Sequence, residues 1–288
     1  MTTAVRGSAP SPTVSHPRST RPSLLSAWGT LAGRRIALSA HTPREILSPL
    51  ATPVLFALVI APALAKMIPH APGGMDYSTY VIVGTVGLLI PLACTFAGIG
   101  VIVDRTSGAR RELLAAPTPR ALIVAGNLVV AVGVSLLQVG VLMAAGLARG
   151  SHFVSTAAGI GWFVAAVLAF TVAMYGVAEM LASRIPTQEE YVGLTPVVAI
   201  LPWFLAGSLF RITALPAWLA DLARALPTTH ALALLRYGVL GGQSSGLHDI
   251  WGLSDVPTQA ALSLLVLASY AGFITAASMR IFHRGAVS

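Results

Sequence analysis

The chain has 288 residues, of which 55% are hydrophobic and only 10% charged, and its formal charge is +8. A water-soluble domain carries about 25% charged residues, so this composition excludes one and requires a membrane-embedded chain. The basic balance would suit nucleic acid, but the Arg residues sit in short connections between apolar runs rather than in one patch, which excludes that partner.

The apolar runs are continuous and about 20 residues long, the signature of helices. A barrel would show alternating ten-residue segments. A lone Cys94 inside one run rules out an internal disulfide and a Cys-based metal site.

Residues 1–23 are rich in Ser, Thr, Pro and Arg and read as a disordered tail. Arg6, Arg18 and Arg21 place it on the cytoplasmic side. From residue 24 onward the chain reads as one transmembrane domain, 24–288. Leu24, Leu25, Trp28, Leu31, Ala32 and Ile36 recur at helical spacing, with Arg34 and Arg35 beside them. This pattern predicts an amphipathic helix lying in the headgroup plane.

Six spans follow: Ser48–Lys66, Thr79–Val103, Ala121–Ala148, Ser155–Ala182, Tyr191–Phe210 and Pro257–Ile281. Each is long enough to cross a core of about 30 Å at 1.5 Å per residue. Counted over this topology, thirteen basic residues fall on the side of the N-terminus and five on the other: Lys66, Arg149, Arg211, Arg224 and Arg236. That bias puts both termini in the cytoplasm. Between the fifth and sixth spans, Leu215–Ala220 and His230–Leu240 are apolar but too short to cross. They predict a re-entrant helical hairpin, which survives only against protein or a watery cavity. A seventh crossing is the alternative, and Arg280, His283 and Arg284 at the C-terminus count against it.

The fold class is therefore an all-α membrane protein of six helices with an interfacial helix and a re-entrant hairpin. The glycines Gly126, Gly133 and Gly140 of the third span, seven apart, fall on one stripe that predicts tight packing within the subunit, with a dimer seam as the alternative. Pro91 in the second span removes a helix hydrogen bond. Glu179 is the deepest carboxylate and lies near the cytoplasmic end of its span, and Gln138 is a lone polar residue in the third. Neither makes an ion relay, so the energy for any transport comes from elsewhere.

No catalytic constellation is present. There is no Gly-rich phosphate loop, and Lys66, the only Lys, stands outside any Gly-rich turn. His230 and His248 read as solvated or interfacial rather than as metal ligands. What remains is the polar loop from Asp104 to Arg120, with Arg105, Gly108, Arg110, Arg111, Glu112, Leu113, Leu114 and Pro117. Its residues suit a docking element for a soluble partner, with Arg105, Arg111 and Glu112 pairing and the two Leu burying. They suit an ordinary positive-inside loop equally well.

The string Asp104-Arg105…Gly108…Leu113-Leu114-Ala-Ala-Pro117…Arg120 resembles the loop after the second span of type-2 ATP-binding-cassette exporter permeases. Phe204-Leu-Ala-Gly207-Ser-Leu-Phe210, then Leu215-Pro216-x-Trp218-Leu219, then Leu226-Pro227…Arg236, is similar to that family's fifth span and following hairpin. The resemblance runs from about residue 24 to 284, with Thr106, Ala206 and Arg211 departing from the usual residues.

It implies a permease subunit, not an enzyme. That subunit works as a homo- or heterodimer with two copies of a separate ATPase that holds ATP and Mg. The Asp104–Arg120 loop and the interfacial helix would carry the ATPase motion, in a bacterial cell membrane. The cargo implied is an amphipathic or hydrophobic drug, antibiotic or lipid, as for daunorubicin-resistance-type permeases. A polysaccharide or glycolipid exporter, or a non-transporting immunity or signalling subunit, is the alternative.

Overall fold

Lipid offers a backbone no hydrogen-bond partners, so each apolar run closes its own bonds as a helix. The computed structural model describes residues 54–67, 76–107, 120–240 and 246–284, together with Gly29, Gly33 and Ala51. A π-helical turn, Phe56–Ile60, leads into α1 (Ala61–Met67), followed by α2 (Tyr77–Thr106), α3 (Arg120–Ala148) and α4 (Ala157–Arg184). Next come α5 (Gln188–Gly193), a π-helical turn (Pro196–Ile200) and α6 (Leu201–Leu205). A 3-10 turn (Ile212–Ala214) leads to α7 (Ala217–Ala225), α8 (Pro227–Val239), α9 (Leu247–Trp251) and α10 (Val256–Arg284).

Among the described residues, four helices are long and apolar enough to cross a membrane: α2, α3, α4 and α10. They match the second, third, fourth and last predicted spans to within three residues at every described boundary. The predicted fifth span is helical but divided into α5, a π turn and α6, with Pro196 and Pro202 each standing at the start of a piece. Proline lacks the donor that would continue the preceding helix. The predicted first span is described as helix from Phe56 to Met67, shorter than the other four. The predicted interfacial helix falls almost wholly outside the described residues, although Gly29 and Gly33 within it are helical.

Side-chain caps fix where the helices begin. The Asp76 carboxylate accepts from the Thr79 N–H at 3.1 Å to start α2, and the Thr156 hydroxyl accepts from the Gly159 N–H at 3.0 Å to start α4. Each satisfies a donor that helix geometry leaves over. Helix α3 runs antiparallel to α2, since Gly146 near its end lies against Ile82 near the start of α2. One end of the bundle therefore holds Asp76, Ala148 and Thr156, and the other holds Thr106, Arg120 and Arg184.

Helix α4 is the hub, packed by α2, α3, α8 and α10. Short α8 is wedged into this bundle, and every residue from Thr228 to Arg236 is buried. Glycine makes the room. A Cβ on Gly87 would stand 2.7 Å from Leu232, and a Cβ on Gly159 would collide with the Gly238 carbonyl oxygen.

Of the seven-residue glycine stripe of α3, Gly126 is buried but the other two do not do the same. Gly133 and Gly140 have no neighbour within 4 Å. The buried residues of α3 include Val124, Gly126, Ala131, Ser135, Gln138, Val139 and Leu142. Spacing shows that glycines share a face; it does not show that the face meets protein.

Gly238→Ala should lower stability by about 1–3 kcal/mol, because the new methyl meets backbone that cannot move aside. Gly140→Ala, with open space around it in mid-helix, should raise stability by about 0.5–1 kcal/mol. Thermal unfolding of the two variants in detergent measures both, and equal shifts would contradict the packing described.

Candidate functional site

Helix α6 is capped by Ala206, and the chain turns through Gly207 in the left-handed region at φ +80°. A residue that follows a helix cap in this conformation is best as glycine. The turn exposes three consecutive carbonyls, and each is met by a side chain. Tyr80 donates its hydroxyl to Gly207 O at 2.8 Å, Arg236 donates Nη2 to Ser208 O at 3.0 Å, and Tyr77 donates to Leu209 O at 2.9 Å.

The Arg236 guanidinium also stacks on the Tyr80 ring, its carbon 3.6 Å from the centroid. In the reverse direction, Trp203 of α6 donates Nε1 to the Gly84 carbonyl of α2 at 2.8 Å. Arg236 is only 3% exposed. A buried charge needs pairing and hydrogen bonds; here a ring face and a carbonyl serve, while Nε has no hydrogen-bond partner among the described residues. A cavity of about 10 Å³, lined by Tyr80, Arg211, Thr229 and Asp249 among others, adjoins it, a volume that one water fills. Gly84 is required beside this group, since a Cβ there would collide with the Ser208 carbonyl.

The entry and exit of the α7–α8 hairpin are tied together. Arg211, before α7, forms a two-pronged ion pair with Asp249 of α9, its Nε at 2.9 Å from the carboxylate. The bond from the Asp249 carboxylate raises the Arg211 pKa above its usual value. Arg224 of α7 donates to the Asp249 carbonyl at 3.2 Å and pairs with Asp221 at 2.6 Å.

His230 is a correction to the solvated reading. It is 3% exposed, with Nε2 3.0 Å from the Arg224 carbonyl and Nδ1 3.3 Å from the Ser263 hydroxyl. Trp251 donates to the same hydroxyl at 2.8 Å. No His, Cys, Asp or Glu cluster among the described residues could hold a metal.

Of the hairpin residues singled out in the sequence, Gly207 and Arg236 therefore belong to one cluster. Pro216 and Pro227 stand just before α7 and at the first position of α8. Phe210 and Trp218 are exposed, Trp218 at 69%. The sequence reading missed Tyr77, Tyr80, Trp203 and Asp249. A signal existed for the first two: they lie a helical turn apart on the same helix as Gly84 and Gly87.

At the other end of the bundle, Arg105 in the last turn of α2 reaches across to α4. It donates Nη1 to the Ala182 carbonyl at 3.1 Å and Nη2 to the Pro186 carbonyl at 3.0 Å, and also bonds the Ser183 and Ile185 carbonyls. This places positive charge on the negative end of α4 and satisfies carbonyls that its helix leaves over. Below it, Tyr191 of α5 packs where Gly98 of α2 lacks a side chain, and Glu179 accepts from Tyr175 at 2.7 Å.

Asp104 and Arg105 are thus described at the start of the polar loop, and Arg120 begins α3. Gly108, Arg110, Arg111, Glu112, Leu113, Leu114 and Pro117 lie outside the described residues, as do Trp28, Arg34 and Arg35 of the predicted interfacial helix.

The described residues form an all-helical bundle in which four helices are long and apolar enough to cross a membrane. The ABC-2 type transporter family matches residues 26–240, three quarters of the chain, and the protein belongs to that family. It is similar to nodulation protein J of Rhizobium leguminosarum bv. viciae, 25% identical over 223 residues, 75% of this chain and 82% of that protein. It is also similar to the inner membrane transport permease YadH of Escherichia coli K12, 25% identical over 251 residues, 85% of this chain and 89% of that protein.

Tyr80→Phe keeps the ring beneath Arg236 but strands the Gly207 carbonyl, a loss of about 1–3 kcal/mol. Tyr80→Leu also removes the ring face and should cost about 0.5–2 kcal/mol more. Chemical unfolding of both variants tests this order, and equal losses would show that the stacking contributes nothing.

Proposed function

We propose that this chain is the permease subunit of an ATP-driven exporter that moves an amphipathic or hydrophobic compound out of the cell. ABC-2 permeases normally work with an ATPase subunit, and this sequence has no phosphate loop of its own. The functional assembly is two permeases with two ATPases. Both termini and the Asp104–Arg120 loop face the cytoplasm, in keeping with thirteen basic residues on that side against five.

The observation that carries the reading is the Arg105 bridge. The loop leaves α2 at the point where Arg105 is locked to the carbonyls at the end of α4. A push on the loop therefore moves α2 and α4 together instead of bending one free helix end. At its far end α2 holds the α6–α7 turn through Tyr77, Tyr80 and Arg236. The loop and the hairpin thus lie at the two ends of one helix, α2. Arg105 acts as a positioning residue, while Arg110, Arg111 and Glu112 meet the ATPase.

The hairpin enters the membrane from the outer side and returns to it. Leu232 lies against Gly87, ten residues into α2, a depth of about 15 Å at 1.5 Å per residue. That is about half of a core of roughly 30 Å. The Arg211–Asp249 pair holds entry and exit side by side. Cargo leaves along the permease–permease interface. Its amphipathic or hydrophobic class follows from the scarcity of charge within the spans and from only 7% aromatic residues.

Mild-detergent purification from native membranes should recover a soluble ATPase in equal amount. Arg111→Glu should reduce efflux roughly tenfold while the ATPase keeps hydrolysing. Recovery of no ATPase, or a variant that leaves both efflux and hydrolysis unchanged, would contradict the reading.

A further inference from the structure

We propose that a pocket of about 220 Å³ at the Asp76 end of the bundle, lined by Lys66 and Arg149, binds the phosphate of an anionic lipid headgroup. It lies between α1, the start of α2 and the end of α3, and its walls include Ala57, Pro62 and Ile82.

The charges on this end of the bundle point to it. Of the five basic residues there, Arg211, Arg224 and Arg236 are engaged in the hairpin, on Asp249, on Asp221 and on Tyr80 with Ser208. The two others, Lys66 and Arg149, belong to no ion pair among the described residues. Both line this one pocket. They come from different segments, the last turn of α1 and the turn after α3, so their convergence is a product of the fold and not of sequence proximity.

The only carboxylate among the described residues of the lining, Asp76, is already committed to capping α2 through Ser78 and Thr79. Burial pushes this carboxyl up, but the combined bonds from Ser78 and Thr79 outweigh it and hold it below the usual range. The pocket therefore keeps a net positive charge.

Size and position select the ligand. Drug-sized sites occupy about 300–1,000 Å³, so this pocket suits a headgroup better than a whole drug. Lys66, Asp76 and Arg149 all stand at helix ends, the depth at which headgroups meet the hydrocarbon. An apolar wall beside the cations lets an acyl chain continue along α1. A free phosphate would satisfy the same cations but would leave that wall unused.

The test needs neither the ATPase nor transport. Purified full-length protein is titrated with phosphatidylglycerol, phosphatidylcholine or sodium phosphate, and native mass spectrometry reads the bound fraction. Phosphatidylglycerol should bind in preference to phosphatidylcholine. Lys66→Gln or Arg149→Gln should weaken it roughly fivefold, and the double variant about 30-fold. Lys66→Arg should retain binding.

Both cations lie on the surface, so these variants fold, and an unchanged unfolding temperature checks it. Equal binding of both lipids, or phosphatidylglycerol binding unmoved in the double variant, would overturn the proposal. So would a pocket that takes sodium phosphate and no lipid, since the occupant would then be a soluble phosphate.

Discussion

Three consecutive carbonyls after α6, those of Gly207, Ser208 and Leu209, have no helical partner, and they lie against α2 where water does not reach freely. Their pairing with Tyr80, Arg236 and Tyr77 is the constraint on which the rest of the bundle depends. An unmet carbonyl in such a place costs about 1–3 kcal/mol, so three unmet carbonyls would rival the whole stability of a typical domain. Meeting them requires two tyrosines one turn apart on α2, a glycine at position 84 to admit the turn, and an arginine brought back by α8. The last condition forces α8 into the bundle, and that is why nearly all of it is buried.

Once α8 is buried, its neighbours must be small where it crosses them. Gly87 and Gly159 are the positions where backbone or side chain comes too close for a Cβ. The same economy recurs at the other end, where Gly98 admits Tyr191 and Arg105 takes up the final carbonyls of α4. Helix α2 is held at both ends by side chains that satisfy the ends of other helices. The proposed coupling from loop to hairpin uses this attachment at both ends.

Much of this was legible in the sequence and some was not. The long spans could be read because hydrophobic length is a local property, and α2, α3, α4 and α10 begin and end close to where composition changes. The two short helices between the last spans were legible for the same reason, since Leu215–Ala220 and His230–Leu240 are too short to cross.

The Arg236–Tyr80 pairing was not legible. It joins residues 156 positions apart, and Arg236 in isolation looks like one more loop cation. His230 likewise looks like a solvated loop residue until Ser263 and the Arg224 carbonyl are placed around it. Gly133 and Gly140 of α3 do not pack within the subunit, because their spacing fixes a face and leaves its partner unspecified.

The claim that the segment between α6 and α10 enters and leaves on one side is best tested by cysteine labelling in a Cys94→Ser background. Trp218 in the first turn of α7 and Leu253 after α9 are exposed, at 69% and 42%, and Arg184 is exposed at the opposite end of the bundle. In intact cells an impermeant maleimide should label Trp218→Cys and Leu253→Cys, and should reach Arg184→Cys only after permeabilisation. Labelling of Trp218→Cys and Leu253→Cys from opposite sides would mean that the segment crosses the membrane, and the hairpin would not be re-entrant.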